Sequence, residues 1–212
     1  MATCARDRNV PIRDQQTCER PRTALHCQPP PTVLGQAARD RGNLIQLGGI
    51  ILGLLLVVLA ADIKSTAAAS TALAVLGIVL TAFSSHAIGH WLIGRIVGLR
   101  FAFIGVRGTD HPETYPPVVR QIMSVLPMFT TVSTRRSREA AGPRALAAYF
   151  AAGQTTAILG WIGSAVLARA LGVPASSVIL AIMIAWAAAT ALIATATPKG
   201  DYAKARTALR AR

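Results

Sequence analysis

Residues 44–61 read LIQLGGIILGLLLVVLAA, eighteen positions without a charge. As an α-helix this run is about 27 Å long, close to the roughly 30 Å hydrocarbon core of a bilayer. Three further runs behave alike. Ala67 to Ala82 is apolar and leads directly into SSHAIGHWLIG at Ser84 to Gly94, and Ala145–Leu167 and Ser176–Thr197 carry no charge at all. The chain is 52% hydrophobic with a mean hydropathy of +0.45, above what a soluble domain of 212 residues normally shows. Backbone polar groups in lipid must bond within their own segment, so these runs are read as helices. The expectation is an all-α integral membrane protein with four transmembrane helices, at about 44–61, 67–97, 143–171 and 176–196. A very apolar soluble bundle is the bland alternative.

A net charge of +13 raises nucleic acid as a partner. The distribution points elsewhere. Seven arginines lie in residues 1–43, eight in 95–144, and five lysines or arginines in 199–212; only Lys64 and Arg169 fall outside. With four spans, the three basic regions share one membrane side. That is the positive-inside pattern, so both termini are expected in the cytoplasm, most naturally at a plasma (inner) membrane. The basic face would meet the anionic headgroups of the lipid bilayer, and no nucleic acid is expected. Cys4, Cys18 and Cys27 are odd in number and lie on the reducing side, which disfavours disulfides. Their spacing, with His26, matches no compact ligand set. The first thirty residues hold no apolar core of a cleavable signal, so the first span is read as the insertion signal.

The chain divides into a cytoplasmic Arg/Pro-rich tail (1–43), a membrane domain (44–198) with a cytoplasmic loop (99–143), and a basic cytoplasmic tail (199–212). The first tail, broken by QPPPT at Gln28 to Thr32, reads as largely disordered, with a short helix from Thr32 towards Arg41. Gly49 and Gly53 form a GxxxG pair suited to close helix packing, and Gly94 and Gly98 form another small-xxx-small pair. The loop opens with a short β segment, LRFAFIGV at Leu99 to Val106. Gln121 to Thr131 reads as an interfacial (membrane-surface) or re-entrant helix interrupted by Pro127. The final DYAKARTALRAR reads as a basic helix on the membrane surface. Gln154, Thr155 and Thr156 read as interhelical hydrogen-bond partners, Trp91 as an interfacial anchor, and Trp161 and Trp186 as packing residues. Arg135, Arg136 and Arg138 would orient the chain and touch lipid phosphates.

His86 and His90 carry the chemistry. Residues i and i+4 share a helix face with Cβ atoms about 5–6 Å apart, so two imidazoles can reach one ion. Ionisable side chains inside a membrane helix are functional candidates by default. A zinc site needs at least a third protein ligand. Asp201 follows the fourth span and reaches the same membrane side as the C-terminal end of the second; His111 and Glu113 in the loop are reserves. The alternatives are a structural pair, hydrogen-bonded to the third or fourth helix or to interfacial water, and ligation of a haem- or chlorophyll-type metal by one histidine.

HAIGHWLIGRIVGLRF resembles the HExxH helix of the site-2 protease family of intramembrane zinc metalloproteases. FAFIGV stands where that family has a small β segment, and AAGP (140–143) and AAGQTT (151–156) supply its small-residue stretches. The similarity runs over roughly residues 67–206. It implies zinc held by His86, His90 and Asp201, the last in place of the family's LDG-type aspartate. The family's glutamate is its general base, and Ala87 stands there instead. General acid–base help contributes typically 10²–10⁴-fold, and alanine cannot accept a proton. The resemblance therefore implies a non-proteolytic, site-2-protease-like pseudoprotease. It would be a metal-binding or metal-free scaffold that holds a membrane-protein partner, with no catalytic residue. The alternatives are an intramembrane zinc metalloprotease with a non-standard base or an engineered Ala87, and an accessory subunit of a larger membrane complex. His86 and His90 are expected to face the fourth span, with Asp201 near them.

Overall fold

A computed structural model describes residues 35–37, 39–63, 66–107, 121, 128–197 and 200–210. Chain order is β1 (Gly35–Ala37), α1 (Arg39–Asp62), α2 (Ala67–Ile96), β2 (Phe101–Arg107), β3 (Met128–Ser133), α3 (Arg135–Ala140), α4 (Pro143–Ala170), α5 (Ser176–Ala196) and α6 (Asp201–Arg210). Among the described residues, four helices are long and apolar enough to cross a membrane: Asp40–Asp62, Ala67–Ile96, Pro143–Ala170 and Ser176–Ala196. The protein is an all-α membrane protein with a small sheet attached.

The surface pattern follows from the solvent. Leu44, Ile51, Leu55 and Leu59 on α1 and Val178, Ile182 and Leu192 on α5 point outwards. The interior is built from small residues: Ala74, Ala82, Ala165 and Ala168 pack with Val57, Ile78 and Trp161. Lipid tails are as apolar as leucine, so helices associate through close packing rather than apolar burial. Gly53 shows how close. A Cβ there would sit 2.6 Å from the Gly77 carbonyl oxygen and 2.8 Å from the Thr81 nitrogen, and one at Gly49 would run into Ser84. The GxxxG pair thus seats α1 on α2. Between α2 and α4, Thr156 Oγ1 donates to the Ser85 carbonyl (2.9 Å) while Ser85 Oγ donates to the Thr156 carbonyl (3.1 Å).

Both long-helix exits use the same device. Gly98 (φ +87) and Gly172 (φ +73) take the left-handed conformation after α2 and α4. Leu99 and Val173 then bond back to the Gly94 and Ala168 carbonyls at 2.7 and 3.0 Å. This capping arrangement satisfies carbonyls that a bare helix end would leave open. Gly98 is therefore a turn residue. It is not the second half of a packing motif, because nothing lies within 4 Å of its Cβ position.

The sheet has the order β1-β2-β3, antiparallel throughout. Gly35 pairs with Val106 and Ala37 with Ile104; Ile104 pairs with Thr131 and Phe101 with Ser133, with a register shift between Phe101 and Phe103.

Three further expectations are corrected. Residues 35–37 and 39–43 belong to regular structure and not to the tail: 35–37, where a helix is expected, form an edge strand, and α1 starts at Arg39. Pairing with β2 orders them, and Gly42 lies against Ile104, whose Cβ is 2.7 Å from a Cβ placed on the glycine. Second, the stretch read as an interfacial helix ends in strand. Met128 to Thr131 belong to β3, where β2 offers pairing groups to a Phe-Thr-Thr-Val run. Gln121 is helical; residues 122–127 lie outside the described residues. Third, α6 does not lie free as a surface helix. It packs on α4 and α5, burying Ala203 and Ala205. Cys4, Cys18, His26, Cys27, His111 and Glu113 also lie outside the described residues.

Candidate metal centre

His86 and His90 sit in the last third of α2, their rings edge to face with centroids 4.9 Å apart. Asp201 opens α6. Its Oδ2 lies 3.5 Å from His86 Nε2 and 3.3 Å from His90 Nε2. One ligand atom from each of the three side chains lies within 4.8 Å of the other two. The structure thus brings together the three residues singled out from sequence.

It does so on a different wall than expected. The pair faces α4, the third span, and not the fourth. Gly153 of α4 opposes the His90 ring: a Cβ added there would overlap Nε2 and Cδ2 and sit 2.7 Å from Cε1. His90 Nδ1 lies 2.8 Å from the Tyr149 carbonyl oxygen, and the two rings are 5.1 Å apart. Tyr149 packs with Leu99 and Phe101, and its hydroxyl lies 3.4 Å from Thr131 Oγ1 of β3. The fourth span contributes only by delivering α6. The reason lies in the small residues of α4: Ala152, Gly153, Ala157 and Gly160 let α2 approach, with Gly89 of α2 against Thr156 and the Ala152 carbonyl.

The hydrogen bond to Tyr149 assigns the tautomer. A carbonyl oxygen only accepts, so His90 Nδ1 must carry the proton. In the neutral ring Nε2 is then a bare lone pair. That lone pair faces a carboxylate oxygen at 3.3 Å. Two acceptors at this separation repel unless a proton or a cation lies between them. Distance favours the cation. Zinc–nitrogen and zinc–oxygen bonds of about 2.0–2.2 Å at tetrahedral angles place neighbouring ligand atoms roughly 3.3–3.6 Å apart. The two Nε2–Oδ2 separations, 3.3 and 3.5 Å, lie in that interval. A histidine ligand that donates its other N–H to a carbonyl is the usual outer-shell arrangement. Two imidazoles and one carboxylate make a three-ligand set that leaves a fourth position open. The residues therefore fit a divalent zinc ion.

Asp201 is prepared for the role electrostatically. Burial pushes its carboxyl pKa up. Where a proton rather than a metal ion bridges His90 Nε2 and Oδ2, the hydrogen bond and charge of His90, with the charges of His86 and Lys204, outweigh burial and hold it below the ordinary carboxylate range. Lys204 Nζ is 3.8 Å from the other oxygen, Oδ1. Tyr202, the next residue, ties α6 to α4 through a 3.1 Å contact between its hydroxyl and Thr155 Oγ1.

Ala87 lies between the two histidines in sequence and is 1% exposed. It offers no proton acceptor. Of the other polar positions, Thr155 and Thr156 make interhelical bonds. Trp91 packs, partly buried, against the Leu99–Phe101–Tyr149 cluster. Trp161 is buried edge-on to Phe83 and Trp186, while Trp186 is itself half exposed. Arg135 pairs with Glu139 along α3. Asn43 Oδ1, both amide atoms of Gln46, and Trp91 Nε1 are buried without a hydrogen-bond partner among the described residues. Sequence reasoning missed Tyr149 and Gly153. Gly153 carried one signal, its place in a small-residue stretch; Tyr149, acting through its backbone, carried none. No protein-family model, curated protein or solved structure matches the chain.

Proposed function

We propose that this protein is a non-proteolytic, site-2-protease-like membrane protein. In this reading it holds a zinc ion with His86, His90 and Asp201 and serves as a scaffold for a membrane-protein partner. The observation that carries the reading is the triad of Nε2, Nε2 and Oδ2, with the His90 tautomer pinned by Tyr149 and both Nε2–Oδ2 separations matching those of a tetrahedral zinc site. A zinc ion there would act as a Lewis acid with one open coordination position. His86 and His90 would bind through Nε2 and Asp201 through Oδ2, while Gly153 leaves the space that His90 needs.

The absence of proteolysis follows from position 87. Peptide hydrolysis at such a centre requires a base to take the water's proton. Alanine, buried in the helix interface, cannot. The second reading, an intramembrane metalloprotease, requires a carboxylate from elsewhere. The distribution of arginine and lysine supports placement in a plasma (inner) membrane with both termini cytoplasmic, where the basic loop and tail meet anionic headgroups.

The test is the metal content of detergent-purified protein beside a His86→Ala/His90→Ala double variant. About one zinc per chain, lost in the variant, is expected from a three-ligand centre. No zinc in either sample after zinc is supplied would leave a protonated His90–Asp201 ion pair as the explanation. Ala87→Glu, made in the zinc-loaded protein, separates the two functional readings. Proteolysis of a membrane substrate by the variant, and none by the parent, is the outcome expected of a pseudoprotease. Proteolysis by the parent would establish the enzyme.

A further inference from the structure

Resting on the metal reading above, we propose that metal occupancy fastens the C-terminal helix α6 to the membrane bundle, so that removing the ion releases it. Two of the three ligands belong to α2; the third is the first residue of α6. An ion bound by all three ties one element to the other. Elsewhere α6 packs on α4 and α5 with small side chains and buries little area. Of its ten residues only Ala203 and Ala205 are buried, each contributing a single methyl group. Lys204, Arg206, Leu209 and Arg210 are exposed. The Tyr202–Thr155 hydrogen bond lies at an exposed position. Exposed, weakly buried elements open at small free-energy cost.

Without a cation, a proton must stand between His90 Nε2 and Asp201 Oδ2, 3.3 Å apart, and this one ion pair is all that the site contributes to docking. With the cation, the same geometry becomes three metal bonds. An ion that binds only the docked form shifts the docking equilibrium by 1 + [metal]/Kd. Free zinc at a hundred times Kd therefore moves the balance about a hundredfold. Release would leave a short basic helix, with Lys204, Arg206 and Arg210, on the end of α5. The site thus regulates the position of the C-terminal segment, whatever its open coordination position holds.

The experiment uses the full chain with Cys4, Cys18 and Cys27 replaced by serine and a single reporter, Ala203→Cys. Residue 203 is 4% exposed when α6 is docked. The rate of maleimide labelling is followed with zinc and with chelator, and zinc content is measured on the same samples. The expected result is labelling about a hundredfold slower in zinc at a hundred times Kd. A Leu209→Cys reporter, 51% exposed, should label equally in both conditions. His90→Ala should remove the zinc effect at position 203. Trypsin cleavage after Lys204 and Arg206 of the otherwise unmodified chain provides a reading without the reporter, faster in chelator than in zinc. Equal labelling and equal cleavage in a sample that holds zinc would overturn this inference and leave the metal reading intact. A sample that takes up no zinc would overturn both.

Discussion

Gly153→Ala adds one methyl group, and the structure says where it goes. The new Cβ would overlap Nε2 and Cδ2 of His90 and lie 2.7 Å from Cε1. Ordinary contact begins at 3.4 Å, so Cε1 alone must retreat about 0.7 Å, and the overlapped atoms further. The ring cannot retreat freely. Nδ1 is held at 2.8 Å by the Tyr149 carbonyl, on the same helix as Gly153. Ligand positions in a metal site tolerate about 0.2 Å. The ring therefore either keeps its bond to Tyr149 and leaves the ion, or breaks that bond and rotates. Loss of an outer-shell partner alone costs 10–100-fold in metal affinity, and displacement of the ligand itself costs more. We expect zinc affinity to fall by at least about 100-fold. Overpacking costs roughly 1–3 kcal/mol in stability, offset by about 0.5–1 kcal/mol from replacing a helical glycine. The assay is competition against a chromophoric zinc chelator in detergent, with thermal unfolding recorded with and without zinc. Gly163→Ala on the same helix is the control, because nothing lies within 4 Å of its Cβ position. A folded Gly153→Ala protein that binds zinc with parental affinity would refute the site geometry argued here.

Other consequences are more local. Tyr149→Phe should leave zinc affinity within about threefold, because His90 is held by the backbone carbonyl; it should cost about 1 kcal/mol through the lost hydroxyl contact with Thr131, and a large drop in affinity would show that the hydroxyl matters to the site. Gln46→Leu should raise stability by roughly 1–3 kcal/mol, since both amide atoms are buried unpaired; a destabilised variant, by thermal or denaturant unfolding, would mean that the amide has a partner. In metal-free protein, the Asp201 carboxyl is held below its ordinary pKa, so its contribution to stability is complete above about pH 3.9 and disappears as pH falls through the lowered value. Asp201→Asn should flatten that acid limb of the stability profile, and an unchanged slope would count against the depressed pKa. With zinc present, acidification should release the ion, because every ligand must be deprotonated; retention at low pH by equilibrium dialysis would argue against a histidine–carboxylate centre.

Which parts of this architecture were readable in advance depends on the range of the forces that set them. The fourth span was bounded at 176–196, as observed, and the second and third to within a residue, because spanning lipid demands a continuous apolar run. The first span was cut short at Leu44, since Arg39, Asp40 and Arg41 break the hydropathy run while still extending the helix. The pairing partners of β1 and β3 lie far along the chain, so a three-residue GQA segment gives no local hint of strand. His86 and His90 were legible as a face because one helical turn relates them.

By itself, the sequence determined what local periodicity and solvent preference control: four apolar helices, the segregation of basic residues, and a histidine pair on one side of a helix. Tertiary structure decided what that pair meets. The α2–α4 approach depends on glycine and alanine at matching heights on two helices. The arrival of Asp201 depends on how α6 folds back against α4. A hydropathy pattern records whether a residue can enter lipid, a property of that residue and its neighbours in the chain. It holds nothing about which helix stands opposite, since that is settled by contacts between residues tens to more than a hundred positions apart, such as Tyr149 with His90 and Asp201 with His86.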